Sequence, residues 1–207
     1  MTDPDRLLYT IVERILRPIL MRVYRITIFG GENVPTTGPC ILAANHVSVL
    51  DGFFLGISTK RQVRFMAKVE LYKVPGLGEL MTSAGCFPVD RNGDAGRAVA
   101  TGVELLRRGA VIGVFPEGTA LPDKKVGYRR GAARLALASG APLVPVALIN
   151  TEKTLEPYTH RIGFPRVRIS VGEPIVVDAQ EPTEEAASEL TERLEVAIDQ
   201  LRALHRT

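Results

Sequence analysis

The order of apolar and polar positions divides the chain into short apolar runs separated by stretches with a helical repeat. Leu7, Leu8, Ile11, Val12, Ile15, Leu16, Ile19 and Leu20 recur at helical spacing through residues 7–23, with arginines between them. Pro18 removes a backbone donor inside that pattern and predicts a kink or split near Arg17. Residues 23–29 then read as a strand closed by Gly30 and Gly31, and Cys40–Ala44 as a buried strand. Ser48 is placed to cap a helix over residues 50–57. Residues 63–67 form the next strand, residues 70–84 a helical stretch broken at Pro75 and Gly76, and residues 86–89 a short strand. A helix over residues 96–108, a buried strand over 110–115 and an alanine-rich helix over Gly131–Ser139 follow. Two more strands lie at Leu143–Ile149 and residues 167–171. A final helix opens at Thr183, with a stripe of Ala187, Leu190, Leu194, Ala197, Leu201 and Leu204.

Strands alternating with helices predict an α/β fold, a mostly parallel or mixed sheet flanked by helices. The chain shows no internal repeat and no low-complexity linker, so one domain is expected over its 207 residues. With 45% hydrophobic and 24% charged residues it has an ordinary globular composition, and Cys40 and Cys86 are too few for a disulfide framework or a zinc site.

Charge adds more through its placement than its sum. A net charge of +3 is too mild to argue for nucleic acid, and none is expected as a partner. Residues 91–134 hold nine Lys/Arg against four Asp/Glu, whereas residues 178–207 hold eight acids against three arginines. An anionic ligand is therefore favoured by the middle of the chain. The opening MTDPDRLLYT carries acids where a secretory signal would be basic. Glu13, Arg14, Arg17 and Arg22 interrupt the apolar stretch too often for a transmembrane span. Its pattern suits either a helix lying in a membrane interface or one packed on the protein's own core.

Several familiar sites are missing: the sequence contains no GxSxG elbow, P-loop, HExxH or CxxC, and no metal site is expected. Of three histidines, His205 falls in the tail and His160 in a proline-flanked loop, both expected at the surface. His46 differs, because it follows a buried strand in the run Asn45-His46-Val47-Ser48-Val49-Leu50-Asp51. On one continuous helix, His46 and Asp51 would stand about 140° apart. If His46 precedes the helix and Asp51 opens it, the carboxylate reaches one ring nitrogen and leaves the other free as a base. Two further polar groups close strands: Pro116-Glu117-Gly118-Thr119, and Arg91, whose guanidinium suits a phosphate or carboxylate.

Taken in order, these segments resemble the glycerolipid acyltransferase family, typified by the 1-acylglycerol-3-phosphate acyltransferases. Asn45 to Asp51 matches its NHxSxxD block, and Gly85-Cys86-Phe87-Pro88-Val89-Asp90-Arg91 is similar to its GxxFxxR block. Phe115-Pro116-Glu117-Gly118-Thr119 matches FPEGT, and Val144-Pro145-Val146-Ala147 matches VPV, so the likeness covers residues 30–173. One departure is Ala120, where the family usually has the arginine of FPEGTR.

The resemblance implies transfer of a fatty acyl group from an acyl thioester, acyl-CoA or acyl carrier protein, to the hydroxyl of 1-acylglycerol 3-phosphate, with no other cofactor. His46 and Asp51 are the expected catalytic pair. Arg91, Glu117, Gly118 and Thr119 are expected to form the acceptor site, with Lys124, Lys125, Arg129 and Arg130 replacing the charge lost at Ala120. Asn45, Ser48, Phe87, Pro116 and Pro145 support the motifs. Glycerol 3-phosphate or another lysophospholipid is the alternative acceptor, and a non-catalytic phospholipid-binding module the alternative outside enzymes. Residues 1–29 are expected to form a membrane-associating segment and first strand, and residues 30–207 the acyltransferase domain. The expected location is peripheral, on the cytoplasmic face of a membrane.

Overall fold

The computed structural model describes residues 12–74, 76–83, 85–89, 95–118, 127–155 and 161–205. Among the described residues, seven strands form one sheet: β1 (Thr27–Phe29), β2 (Cys40–Ala44), β3 (Val63–Lys68), β4 (Phe87–Val89), β5 (Val111–Val114), β6 (Leu143–Ile149) and β7 (Arg168–Val171). Their spatial order is β1-β7-β6-β2-β5-β3-β4. Every pairing is parallel except β6 with β7, which makes the sheet mixed. The strands that read as continuous apolar runs, β2 and β6, are buried at every residue, as expected at the centre of a sheet covered on both faces.

Among the described residues the α-helices are α1 (Arg17–Val23), α2 (Asp51–Ile57), α3 (Leu77–Ser83), α4 (Ala95–Arg107), α5 (Gly131–Ser139) and α6 (Glu184–Leu204). One core cluster joins Leu42, Ala44, Val144 and Val146 to Phe54, Leu55 and Ile57 of α2, with Leu20 and Met21 of α1 packed against it. The other joins Ile41, Ala43, Ile112 and Leu143 to α4, α5 and α6.

Pro145 lies inside β6, where a proline would normally cost a ladder bond. Its carbonyl accepts from Gly172 N at 2.9 Å, just beyond the end of β7, so this position keeps one of its two possible bonds to the neighbouring chain. Because β6 and β7 run in opposite directions, Ile149 pairs with Arg168, and the chain leaves β6 and re-enters β7 at the same end of the sheet. Parallel pairing of Thr27 with Arg168 brings the start of β1, and hence the end of α1, to that end too.

The structure corrects some expected elements. The first strand begins at Thr27, because Val23 still belongs to α1 and Tyr24 and Arg25 form a turn, Arg25 at φ +46°. Pro18 sits in the first turn of α1, which follows a π-helical turn over Val12–Leu16 without a gap, so the helix changes its hydrogen-bond pattern near Arg17 and does not split there. The single apolar stripe of that segment divides: Leu20 and Met21 face the core, while Ile15, Ile19 and Val23 are exposed. On α6 the buried positions are Ala187, Leu190, Thr191, Leu194 and Ile198, and Leu204 is exposed. His205 is held in place: its ring stacks on Phe29 with centroids 4.0 Å apart, and its carbonyl accepts from Arg168.

Candidate active site

The turn after β2 and the first turn of α2 build the site. Asn45, the residue after β2, is buried and reaches across to β6. Its Nδ2 donates to the Leu148 carbonyl at 3.0 Å and its Oδ1 accepts from the Leu148 N–H at 2.8 Å. These two bonds satisfy a backbone donor and acceptor at the end of a central strand and fix the exit direction of the chain.

His46 follows, before the helix, and Asp51 opens α2, the arrangement the five-residue spacing requires. Asp51 is fully buried. Its Oδ2 lies 3.0 Å from His46 Nδ1 and accepts from the N–H groups of Val47 at 2.7 Å and Ser48 at 2.8 Å. A carboxylate that already receives two amide protons acts as an acceptor, so the hydrogen of this pair belongs to Nδ1 and the lone pair of the neutral ring to Nε2. The His46 side chain is 19% exposed and Asp51 0%, so the ring can meet a substrate while its orienting group is shielded from water. Phe115 stacks on the other side of the geometry, its ring centroid 4.2 Å from that of the imidazole. Behind Phe115 lies the nearly parallel ring of Phe65, which occupies the place that a Cβ at Gly113 would take.

Ser48 does not cap the helix through its hydroxyl in the usual manner. Its Oγ accepts weakly from Leu50 N at 3.3 Å and lies 3.1 Å from Thr154 Oγ1. Thr154 spends its one hydroxyl hydrogen on the Thr151 carbonyl at 2.6 Å, so Ser48 must be the donor to Thr154. The catalytic-side turn is thereby tied to the loop after β6.

The turn after β5 supplies the second wall. Phe115 O accepts from Gly118 N, and Gly118 takes φ +74°, a conformation that glycine adopts freely. Pro116 is buried, and its carbonyl accepts from Arg129 N, which places the Arg129 side chain over Gly118. Burial raises the Glu117 carboxyl pKa, countered by a hydrogen bond from the His46 backbone and by the nearby His46 and Arg202, while Asp51 pushes it further up. Tyr128 also lies close to Glu117, and burial followed by the Glu117 charge raises its phenol pKa.

The expected site residues thus fall into four groups. Asn45, His46, Ser48, Asp51, Pro116, Glu117, Gly118 and Arg129 gather at the carboxyl ends of β2 and β5. Arg130 pairs with Glu184 on α6, as does Arg134. Phe87 packs into the second core cluster and Pro145 lies in β6. Arg91, Thr119, Lys124 and Lys125 lie outside the described residues, as do Ala120 and His160. Among the described residues, no group of three or more His, Cys, Asp or Glu side chains is placed to hold a metal ion. Sequence reasoning missed Thr154, Thr151 and Leu148, whose link to the turn spans about a hundred residues and leaves no local signal.

A family model described as Acyltransferase matches residues 25–149, which hold this whole constellation apart from the Thr151 and Thr154 supports. The chain belongs to the Acyltransferase family. It is similar to the 1-acyl-sn-glycerol-3-phosphate acyltransferase of Bacillus subtilis, 28% identical over 197 residues, covering 94% of this chain and 96% of that protein. A chloroplastic 1-acyl-sn-glycerol-3-phosphate acyltransferase from Brassica napus is 31% identical over 157 residues, 73% of this chain; the match spans 45% of that relative. Among solved structures, the PlsC 1-acyl-sn-glycerophosphate acyltransferase of Thermotoga maritima superposes with a TM-score of 0.74 at 26% identity, covering 99% of this chain and 83% of that one. The protein is therefore an acyltransferase with the mixed, helix-flanked sheet of that fold.

Proposed function

We propose that this acyltransferase moves a fatty acyl group from a thioester to the free hydroxyl of 1-acylglycerol 3-phosphate, yielding phosphatidic acid in phospholipid biosynthesis. The observation that carries the reading is the His46–Asp51 pair, a base whose Nδ1 is held at 3.0 Å by the carboxylate so that Nε2 carries the lone pair. In the reaction, Nε2 takes the acceptor's hydroxyl proton as its oxygen attacks the thioester carbonyl. The tetrahedral intermediate then collapses, the carbon–sulfur bond breaks, and the thiolate leaves and recovers the proton. Asp51 stabilises the imidazolium between these steps. A thioester is already activated, so the scheme calls for no enzyme nucleophile, metal or further cofactor. Arg91, Arg129 and the lysines at 124 and 125 are the cations assigned to the acceptor's phosphate. The names and near full-length coverage of the Bacillus and Thermotoga relatives support this acceptor.

A second acceptor, glycerol 3-phosphate or another lysophospholipid, is favoured by one observation, the alanine at position 120. With a lipid product and no described helix long and apolar enough to cross a membrane, we assign the protein to the membrane surface on the cytoplasmic side. Free thiol released from palmitoyl-CoA, and from the palmitoyl carrier protein, tests the reading against a panel of 1-acylglycerol 3-phosphate, glycerol 3-phosphate and lysophosphatidylcholine. Release that depends on 1-acylglycerol 3-phosphate and yields phosphatidic acid is the expected result. Release with a different acceptor reassigns the substrate, and no release with any of them leaves a binding module.

A further inference from the structure

The loop between β6 and β7 presents two large apolar side chains to water, Ile162 at 66% exposure and Phe164 at 59%. Their exposure is held in place by the fold. Ile162 bridges to Leu155, and Gly163 N donates to the Thr154 carbonyl at 3.0 Å. Any Cβ at residue 163 would collide with the Lys153 carbonyl oxygen, so glycine alone permits this close approach. From the other side, Arg25 Nη2 donates to the Phe164 carbonyl at 2.6 Å, and the Tyr24 and Phe164 rings lie 5.9 Å apart. The loop is thereby pinned to the end of α1.

Its neighbours at this end of the sheet are apolar and exposed as well. Val23 closes α1, while Val49 lies in the turn between His46 and Asp51, and Phe53 lies in α2. Around them stand exposed cations: Arg22, Arg25, Lys153 and Arg166. Clustered apolar side chains on an otherwise polar surface mark a contact site, and a ring of arginine and lysine selects an anionic partner.

We propose that the Ile162-Gly163-Phe164 loop is a membrane wedge, dipping into an anionic lipid surface beside the mouth of the site and acting together with the end of α1. The inference rests on the assignment of the protein to a membrane surface, and adds the element that enters it. The wedge brings the site's mouth, with Val49 and Phe53, down to the level at which a lysolipid hydroxyl lies.

The chain contains no tryptophan, so Phe164→Trp in the full chain gives a single reporter. Val176→Trp is the comparison, 78% exposed and next to Ile175, which bridges to Leu143 at the opposite end of β6. Both are titrated with phosphatidylcholine vesicles, with and without about a third phosphatidylglycerol, some carrying brominated acyl chains. The expected result is that Phe164→Trp shifts to the blue and is quenched by bromine only with anionic vesicles, whereas Val176→Trp does neither. The double variant Ile162→Ser/Phe164→Ser should sediment with anionic vesicles roughly tenfold more weakly while unfolding at the parent's temperature. If the unmodified protein sediments with vesicles but Phe164→Trp stays unquenched, the wedge is overturned and the membrane assignment stands. If it does not sediment at all, the assignment itself falls. An emission shift that follows protein concentration without vesicles would make this face a contact between copies of the chain and overturn the proposal.

Discussion

The ring of Phe115 lies almost flat on the imidazole of His46, centroids 4.2 Å apart and planes 20° from parallel, while Asp51 holds the ring's edge. An edge-on hydrogen bond leaves a ring free to tilt about the bond, and a stacked neighbour removes that freedom. Such a contact contributes about 0.5–1.5 kcal/mol. Phe115→Leu should therefore lower kcat roughly two- to tenfold with little change in the donor's KM, and Phe115→Tyr should restore most of it. Steady-state thiol release from acyl-CoA measures both.

His46→Ala removes the base and should cost about 10²–10⁴ in kcat. Asp51→Asn should cost less, since the ring stays but loses its orienting charge. Circular dichroism must show both variants folded. A folded His46→Ala protein as active as the parent would end the general-base mechanism.

Thr154 has a single defined duty toward the site, accepting the Ser48 hydroxyl hydrogen. Thr154→Val keeps the shape and leaves that hydrogen buried without an acceptor, at about 1–3 kcal/mol. Thr154→Ser keeps the oxygen and should recover most of the loss. Urea unfolding of the three proteins decides this, and recovery of kcat in Thr154→Ser but not Thr154→Val would show that the bond also sets the turn that carries His46.

Glu117 gives a pH signature. Burial raises its carboxyl pKa above the unfolded value, so the native protein holds this proton more tightly than the unfolded chain does. Where the native state binds more protons, stability falls as pH rises, and this loss sets in above roughly pH 4 and is complete once the folded pKa has been passed. Glu117→Gln does not titrate. Its unfolding midpoint relative to the parent should therefore rise as the pH is taken above about 4 and stay level below that. A difference independent of pH would mean that Glu117 is charged at no such cost.

What the sequence disclosed depended on how local each cause is. β2, β6 and α5 coincide with their expected bounds because an uninterrupted apolar run, or an alanine-rich one ended by Gly140, is enough to define them. The placement of His46 before a helix and Asp51 within it was legible for the same reason. The first strand was overdrawn because Val23 suits helix and strand alike, and only the left-handed Arg25 marks the break. On α6 a stripe counted in threes and fours drifts over 21 residues, so Ile198 faces the sheet where Ala197 was expected. Nothing near Ser48 points to Thr154, and nothing near His46 reveals that Phe65 fills the space above Gly113 to back the stacked Phe115. Those are consequences of which strands become neighbours.

The reversal of β7 gives the connection before it a freedom that the parallel crossovers lack. Every parallel crossover must carry the chain back along the full length of the sheet, so its length and helix are dictated by the distance to be covered. The segment between Ile149 and Arg168 starts and finishes at one rim, with its ends paired. Lengthening it costs only loop-closure entropy, about 0.6 kcal/mol per doubling. Substrate range in proteins built on this plan can therefore diversify by insertion at that rim, without disturbing the strands that hold His46 and Asp51 in register.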